Sequence, residues 1–248
     1  MNTQFSCVGC GKCCTDHHVP LTLSEATQWA ADGGQVIVLI EAFLADGYGV
    51  AVEQLTHATR RSVLVPSGTS QAWLAVTFAA YNNGPCRNLD AENLCRIYER
   101  RPLVCRIYPM EINPHIPLRP EAKDCPPHSW EQGPELIVGN QLVDMQLMAL
   151  IEQSRQADRE DIAAKAAICQ LLGIRTTALK GNGFVAYLPE MNAFVDAAQK
   201  ITGHQASPDI SSWDFHVTDA VVDRMQLCGV QLAARDASNY LFIPLQSG

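Results

Sequence analysis

The sequence lacks both a secretion signal and a long hydrophobic run. Its N-terminus, MNTQFSCVGCGKCC, has no basic segment followed by an apolar one, and this pattern predicts that no signal peptide is present. No stretch approaches the roughly 18 unbroken apolar residues that a membrane-spanning helix needs. The longest candidates, 36–44 and 73–81, are short and interrupted by polar groups. We therefore expect a cytoplasmic protein, in a compartment that keeps ordinary thiols reduced.

An excess of positive charge is also absent. The 248 residues carry a formal net charge of −8, whereas nucleic acids and anionic membranes attract a positive surface. We expect neither of these partners, and instead another protein or a small molecule. The sequence contains no nucleophile–base set, phosphate-binding glycine loop or His-Glu-x-x-His motif. It therefore leaves open whether the chain is an enzyme.

The order of patterns along the chain predicts an α+β protein. The apolar share of 47% is enough to bury a core without covalent staples. Two runs rich in β-branched and aromatic residues, 61–66 and 72–79, predict a hairpin. Helical spacing then recurs within 135–172, around 191–201 and around 219–227, with short strands expected at 230–234 and 240–245. We expect a cysteine-rich metal-binding part at residues 1–133, and a mostly helical C-terminal part at 134–248 packed on it.

Cysteine is unevenly distributed along the chain. Eight of the ten cysteines lie within the first 125 residues, at Cys7, Cys10, Cys13, Cys14, Cys86, Cys95, Cys105 and Cys125. The other two, Cys169 and Cys228, lie in patterns typical of packed hydrophobic residues. Disulfide bonds are disfavoured because the chain has no export signal and does not need staples of that kind. The eight clustered cysteines are therefore candidate metal ligands.

The strongest motif is the run Cys7-x2-Cys10-x2-Cys13-Cys14. A Cys-x2-Cys-x2-Cys run turns its thiolates around one centre, as in bacterial ferredoxins, and Gly9 and Gly11 allow the backbone angles that such a loop needs. Adjacent cysteines usually point apart, so Cys13 and Cys14 could serve different metals or different edges of a multinuclear cluster. Eight cysteines would suffice for two four-thiolate sites. One four-cysteine site with spare thiols is the alternative.

Cys105 lies in the first turn of a helix predicted to begin near Pro102 and end near Tyr108. A helix N-terminus and cationic neighbours lower the pKa of a thiol, so we expect a low pKa at Cys105. Several arginines in the same stretch would also offset the negative charge of a thiolate site: Arg87, Arg96, Arg100, Arg101 and Arg106.

The favoured cofactor is an iron–sulfur cluster of the 4Fe-4S type, and zinc is the alternative. Structural zinc sites usually combine separated Cys-x2-Cys pairs, which the triple run with its adjacent fourth cysteine fits less well. His17 and His18 directly follow the run and are candidate ligands, because imidazole replaces thiolate in some clusters. Such histidines more often form hydrogen bonds, and the same holds for His115 and His128.

The cysteine pattern resembles that of the CxxCxxCC family, whose members are described as zinc- or iron-chelating or iron–sulfur-cluster-containing proteins. The similarity rests on Cys7-x2-Cys10-x2-Cys13-Cys14 followed by CRIYERRPLVCRIYP at 95–109, and it covers about the first half of the chain. The resemblance implies a metal centre rather than a particular reaction. Seven of the eight candidate ligands fall on the family motif, with Cys125 beyond it.

A related branch, the flagellin lysine N-methylases, shares the four-cysteine run. Here Met110 follows Tyr108 and Pro109 where that branch tends to carry arginine, so methylase activity is not expected to transfer. Three functions stay open: a redox or protein-modifying protein built on an iron–sulfur cluster, a zinc-stabilised interaction module, and a protein that handles or senses metal.

Overall fold

The computed structural model describes residues 2–202, 211–234 and 239–245. The strands are β1 (Thr3–Gln4), β2 (Val19–Leu21), β3 (Val36–Leu44), β4 (Val63–Ser67), β5 (Ser70–Ala80), β6 (Glu135–Val138), β7 (Gln141–Leu142), β8 (Thr176–Leu179), β9 (Gly183–Tyr187), β10 (Asp214–His216) and β11 (Leu241–Pro244). The helices are α1 (Leu23–Ala31), α2 (Val52–Thr59), α3 (Leu103–Ile107), α4 (Met145–Glu160), α5 (Ile162–Leu171), α6 (Met191–Thr202) and α7 (Val222–Leu227). None of these helices is long and apolar enough to cross a membrane.

The chain divides into two compact units, each built from two chain segments. The first unit comprises Met1–Leu21 and Tyr81–Ala157, and the second comprises Thr22–Ala80 and Asp158–Gly248. The first unit is therefore interrupted in sequence by about sixty residues of the second. The boundary predicted at residue 133 separates a metal-binding part from the rest of the chain, whereas the two units are defined by their compactness. That boundary stays a prediction.

The first unit has little regular structure. Its sheet has the order β1-β6-β7, with antiparallel pairing of Thr3 with Ile137 and of Ile137 with Leu142. A small apolar core lies beside this sheet and is formed by Phe5, Leu103, Ile107, Leu136, Leu147 and Ile151. Apart from β2, α3 and the part of α4 up to Ala157, the remainder is made of loops and single turns, so much of this unit depends on contacts other than a regular backbone ladder.

The second unit is built on a mixed β-sheet. Its strands follow the order β10-β8-β3-β5, with β4 against β5, and with β9 pairing both β3 and β11. The central pair is antiparallel, from Val36 opposite Ala80 to Leu44 opposite Ala72. Helices α1 and α5 pack on β5, and α6 packs on α1 and α5. The predicted hairpin is confirmed as β4 and β5, with Gly68 in the left-handed region at its turn.

The chain is α+β, but the expectation of a mostly helical C-terminal part is wrong. Beyond residue 134 the described segments contain four helices, α4 to α7, interspersed with six strands, β6 to β11. Residues 230–234 make only an isolated bridge, between Phe215 and Leu232. The strand expected at 240–245 is confirmed as β11. Strands β6 to β10 were not predicted because they are two to five residues long, too short to show alternation beside the strong helical periodicity around them.

Candidate metal centre

All eight clustered cysteines lie in the first unit, and all ten cysteines of the chain are free thiols. Cys7 is exposed and the other seven members of the cluster are half-buried, whereas Cys169 in the second unit is completely buried. A half-buried thiol is accessible to a metal ion and is still shielded from bulk water. Three chain segments that are distant in sequence supply these thiols, and the backbone contacts described below hold the segments together.

The loop from Cys7 to Cys14 curls back on itself through two glycines. Gly9 and Gly11 have φ angles of 64° and 71°, the left-handed region that glycine enters without steric cost. Cys14 N–H donates to the carbonyl of Gly11 at 3.0 Å, which closes a single helical turn. A Cβ atom on Gly11 would lie 3.0 Å from Asn93 Cβ. The role expected for these glycines is thus confirmed, and Gly11 also makes room for the neighbouring segment.

A backbone ladder ties Cys14 to Cys86 and Cys95. Cys86 N–H donates to the Cys14 carbonyl at 2.6 Å, beside an antiparallel bridge between Thr15 and Pro85. A second bridge pairs Leu89 with Cys95, and Leu89 N–H donates to the Cys86 carbonyl at 2.9 Å. These bonds fix the three cysteine backbones relative to one another although more than eighty residues of sequence separate the first from the last.

The segment carrying Cys125 is attached to the other end of the cysteine loop. Ser6 N–H donates to the Ser129 carbonyl at 2.9 Å, and the Phe5 ring contacts the rings of Tyr108 and Trp130. The Tyr108 hydroxyl lies 3.2 Å from Cys125 Sγ, within reach of a hydrogen bond to sulfur. Cys7 and Cys125 thus belong to one packed region. No sequence signal separates Tyr108 from an ordinary packing tyrosine.

Cys105 lies on α3, as predicted, but its electrostatic environment differs from the expectation. Burial, followed by the negative charges of Cys14 and Cys86, raises the pKa of Cys105 to about 12, although Arg101 acts in the opposite direction. The predicted low pKa is therefore wrong. Removal from water outweighs the arginine because a thiolate loses most of its solvation when it is buried, and α3 is only five residues long.

Cys13 and Cys14 present adjacent sulfur atoms in unlike environments. Their Sγ atoms are 3.8 Å apart. The hydrogen bond between them, with a smaller contribution from Arg101, lowers the pKa of Cys14 to about 7 against the effect of burial. The same hydrogen bond and burial raise the pKa of Cys13. The pair therefore loses its first proton readily from Cys14 and holds the second strongly at Cys13.

The candidate histidine ligands are engaged in other contacts. His17 Nδ1 lies 2.6 Å from the Thr15 carbonyl and Nε2 lies 3.4 Å from Asp124 Oδ2. His18 Nδ1 accepts from Asn82 N–H at 3.3 Å, and its ring stacks on Tyr81. Exposed His115 and His128 flank Cys125 in sequence.

Two arginines of the motif contact other residues of the cysteine-rich segment. Arg101 stacks over the Tyr98 ring at 3.7 Å and Arg96 Nη2 donates to the Leu89 carbonyl at 2.8 Å.

In the described segments, no three His, Cys, Asp or Glu side chains are gathered tightly enough to hold a metal ion. The cysteine-bearing segments that are joined in this region nevertheless supply up to eight sulfur donors. Thiolate donors suit zinc, copper(I) and iron–sulfur clusters, so the donor set fits either cofactor expected from the sequence.

Comparison with known proteins supports a metal-binding role for this region. No curated protein and no solved structure matches the chain significantly. A family model does match, over residues 6–127, and it carries the description "Putative zinc- or iron-chelating domain". The matched range contains all eight clustered cysteines and excludes Cys169 and Cys228. Over residues 6–127, the chain is therefore similar to the CxxCxxCC family.

Proposed function

We propose that this protein binds an iron–sulfur cluster through thiolates of its clustered cysteines and acts in redox chemistry or protein modification. The ligands are drawn from Cys7, Cys10, Cys13, Cys14, Cys86, Cys95, Cys105 and Cys125. The observation that carries the proposal is the joining of three distant cysteine-bearing segments, as free thiols, by backbone hydrogen bonds within one unit. A chain of this size has no need of such an arrangement to fold.

The surroundings of the thiols favour a cluster. Gly9 and Gly11 give the loop left-handed turns, which suit a Cys-x2-Cys-x2-Cys run of the kind that holds a cluster in ferredoxins. Arg101 lowers the pKa of Cys14 and opposes its rise at Cys105, so its positive charge would offset part of the negative charge of a thiolate-bound centre. When bound, an iron–sulfur cluster supplies one-electron transfer; the chain's own residues hold it, shield it and balance its charge.

A zinc-stabilised interaction module is the second candidate function. The observation that favours it is the scarcity of regular structure in the first unit, where β1 and β7 have two residues each and α3 has five. Small units of this kind often depend on a structural metal for their stability. In that role the metal would hold the loops while the surface of the unit recognises a partner protein. Metal handling or sensing is compatible with the same ligands.

The cellular setting forms part of the proposal. Free thiolates persist in the reducing cytoplasm, which suits a chain whose ten cysteines are all unpaired. A protein or small molecule is the proposed partner, since the net charge of −8 does not favour nucleic acid or anionic membrane.

One purification tests the proposal. The full chain is isolated without oxygen and analysed for iron, acid-labile sulfide and zinc together with its visible spectrum. We expect a coloured protein whose broad visible absorbance bleaches on reduction, with iron and sulfide in equal amounts. Cys228→Ser is the matched control and keeps the colour, whereas Cys13→Ser loses about half of it or more.

The alternative results are distinct. Colourless protein with stoichiometric zinc would overturn the iron–sulfur cluster and support the zinc-stabilised module. Protein that holds no metal after attempted loading with either metal would overturn both candidates. If Cys13→Ser is bleached yet keeps its circular dichroism spectrum, the centre has a functional role. If the first unit unfolds instead, the metal supports the fold.

A further inference from the structure

We infer that the eight cysteines form two separate four-cysteine metal sites that meet at the Cys13–Cys14 peptide. The first set is Cys7, Cys10, Cys13 and Cys125; the second is Cys14, Cys86, Cys95 and Cys105. This inference rests on the proposed function in requiring thiolate-bound metal, but it does not depend on whether the metal is iron or zinc. It assigns each ligand to one site.

The second set is defined by the backbone ladder of the first unit. The Cys86 N–H bond to the Cys14 carbonyl, at 2.6 Å, and the Leu89–Cys95 bridge place three of its members on one small framework. The fourth member, Cys105, comes from α3, which packs against β2, the strand that follows the cysteine loop. Cys105 and the three other members of this set are half-buried thiols of the same unit.

The first set is defined by contacts at the opposite end of the loop. The Ser6–Ser129 backbone bond and the Phe5 ring contacts hold the start of the loop to the Cys125 segment. Between these ends, the turns at Gly9 and Gly11 curl the backbone that carries Cys7, Cys10 and Cys13. The same Cys-x2-Cys-x2-Cys run wraps one cluster in bacterial ferredoxins.

The division falls between two adjacent residues. Cys13 and Cys14 are the point of contact between the two sets, with Sγ atoms 3.8 Å apart. The side chains of two adjacent residues leave the backbone in different directions, so adjacent cysteines are suited to binding two neighbouring metal centres. Each sulfur moves by rotation about one side-chain bond, whereas the framework is fixed by the backbone bonds. Four thiolates also complete the coordination of a closed zinc site or of one cubane cluster.

Set-specific variants of the full chain test this division. Two double variants remove ligands from one set each, Cys7→Ser with Cys125→Ser and Cys95→Ser with Cys105→Ser. A third crosses the sets, Cys125→Ser with Cys95→Ser, and Cys228→Ser is the control. After loading with Zn²⁺ alone, and separately with Fe²⁺ and sulfide, bound metal is counted by native mass spectrometry. We expect each within-set variant to lose about half of the metal, the crossed variant to lose nearly all, and the control to lose none.

A second measurement uses the unmodified chain and so avoids any folding defect of the variants. Metal is withdrawn stepwise with a chelator while exposed thiols are alkylated, and molecules that keep half of their metal are sequenced by mass spectrometry. We expect alkylation on four cysteines belonging to a single set. Labels scattered over both sets, or equal metal loss in all three double variants, would overturn the division while leaving metal binding intact. A chain that takes up neither metal would overturn the proposed function as well.

Discussion

Among single residues, Tyr108 offers a direct test of how the protein tunes a sulfur ligand. Its hydroxyl lies 3.2 Å from Cys125 Sγ and would donate to the thiolate in the metal-bound form. Tyr108→Phe removes that donor and keeps the ring that packs on Phe5. We expect metal affinity to fall about tenfold, the lower end of the range for outer-shell partners of metal ligands, as measured by competition with a chromophoric chelator.

The matched control for this change is Tyr98→Phe. Tyr98 also lies in the cysteine-rich segment, but it is exposed and contacts Arg101 through its ring rather than its hydroxyl. Its affinity should stay within twofold of the parent protein. Equal losses in the two variants would show that the Tyr108 hydroxyl has no special relation to the metal.

Cys169 makes the stability of the second unit sensitive to alkaline pH. Burial raises the pKa of Cys169 to about 12, whereas a thiol in an unfolded chain has a pKa of about 8.5. Above that pH the unfolded chain binds fewer protons than the folded one, so the free energy of unfolding falls by up to about 1.4 kcal/mol per pH unit for this group. Cys169→Ala should remove this contribution between about pH 9 and pH 11.

Urea unfolding of the parent and of Cys169→Ala across this pH range gives the comparison. Below about pH 8 the two profiles should run parallel, because the thiol is then neutral in both states. Identical slopes above pH 9 would show that the Cys169 thiol does not resist ionisation in the folded protein.

The candidate ligands could be named from the sequence, but their environment could not be predicted. The spacing of Cys7, Cys10 and Cys13 is local, and its geometric meaning is carried by the intervening glycines. The pKa of Cys105 depends on how deeply α3 is buried, which is a property of the folded unit, and there burial outweighs the nearby arginines. The contact between Tyr108 and Cys125 likewise depends on a loop closure that spacing does not encode.

At the level of elements, the tight turn through Gly11 is the part of the cysteine loop most sensitive to a side chain. Gly11→Ala would combine a φ of 71° with a Cβ placed 3.0 Å from Asn93 Cβ. A left-handed alanine costs about 1–2 kcal/mol, and relief of that strain by opening the loop would weaken metal binding roughly tenfold. Isothermal titration with zinc measures the loss.

Gly139→Ala provides the comparison for this turn. Gly139 lies in the same unit, between β6 and β7, at a φ of 57° with no atom within 4 Å of an added Cβ. The variant carries similar backbone strain away from the cysteines, so it should lower stability without lowering affinity. A parallel loss of affinity in both variants would point to a general softening of the unit.

The two kinds of strand in the second unit differ in how readily sequence reveals them. The hairpin β4–β5 could be predicted because β-branched and aromatic residues flank a turn with glycine. Strand β3 reads VIVLIEAFL and is buried on both faces, so it shows a continuous apolar run rather than alternation. Such a run has no period that separates a strand from a buried helix.

For the whole molecule, metal removal should affect the two units differently. The first unit combines a small core with short elements and loops, whereas the second has a broad sheet with completely buried side chains such as Phe43 and Phe78. We expect chelation to increase amide hydrogen exchange by at least tenfold in residues 81–133 and to leave β3 and β5 protected.

Hydrogen exchange with mass spectrometry resolves these segments in one experiment. Cys228→Ser should behave like the parent protein, because it changes a cysteine outside the cluster. Equal loss of protection in both units, or no change around the cysteines after the metal has left, would contradict this expectation.

The interrupted first unit has a consequence for biosynthesis. About 110 residues separate Cys14 from Cys125, and a ribosome adding roughly 5–20 residues per second needs on the order of 5–20 s to join them. During that interval the nascent chain displays its first four thiols without their later partners, while the inserted segment Thr22–Ala80 is being made. Metal delivery to the site that uses Cys125 must therefore wait until translation has passed that residue, and the early thiols must be kept from oxidation until then.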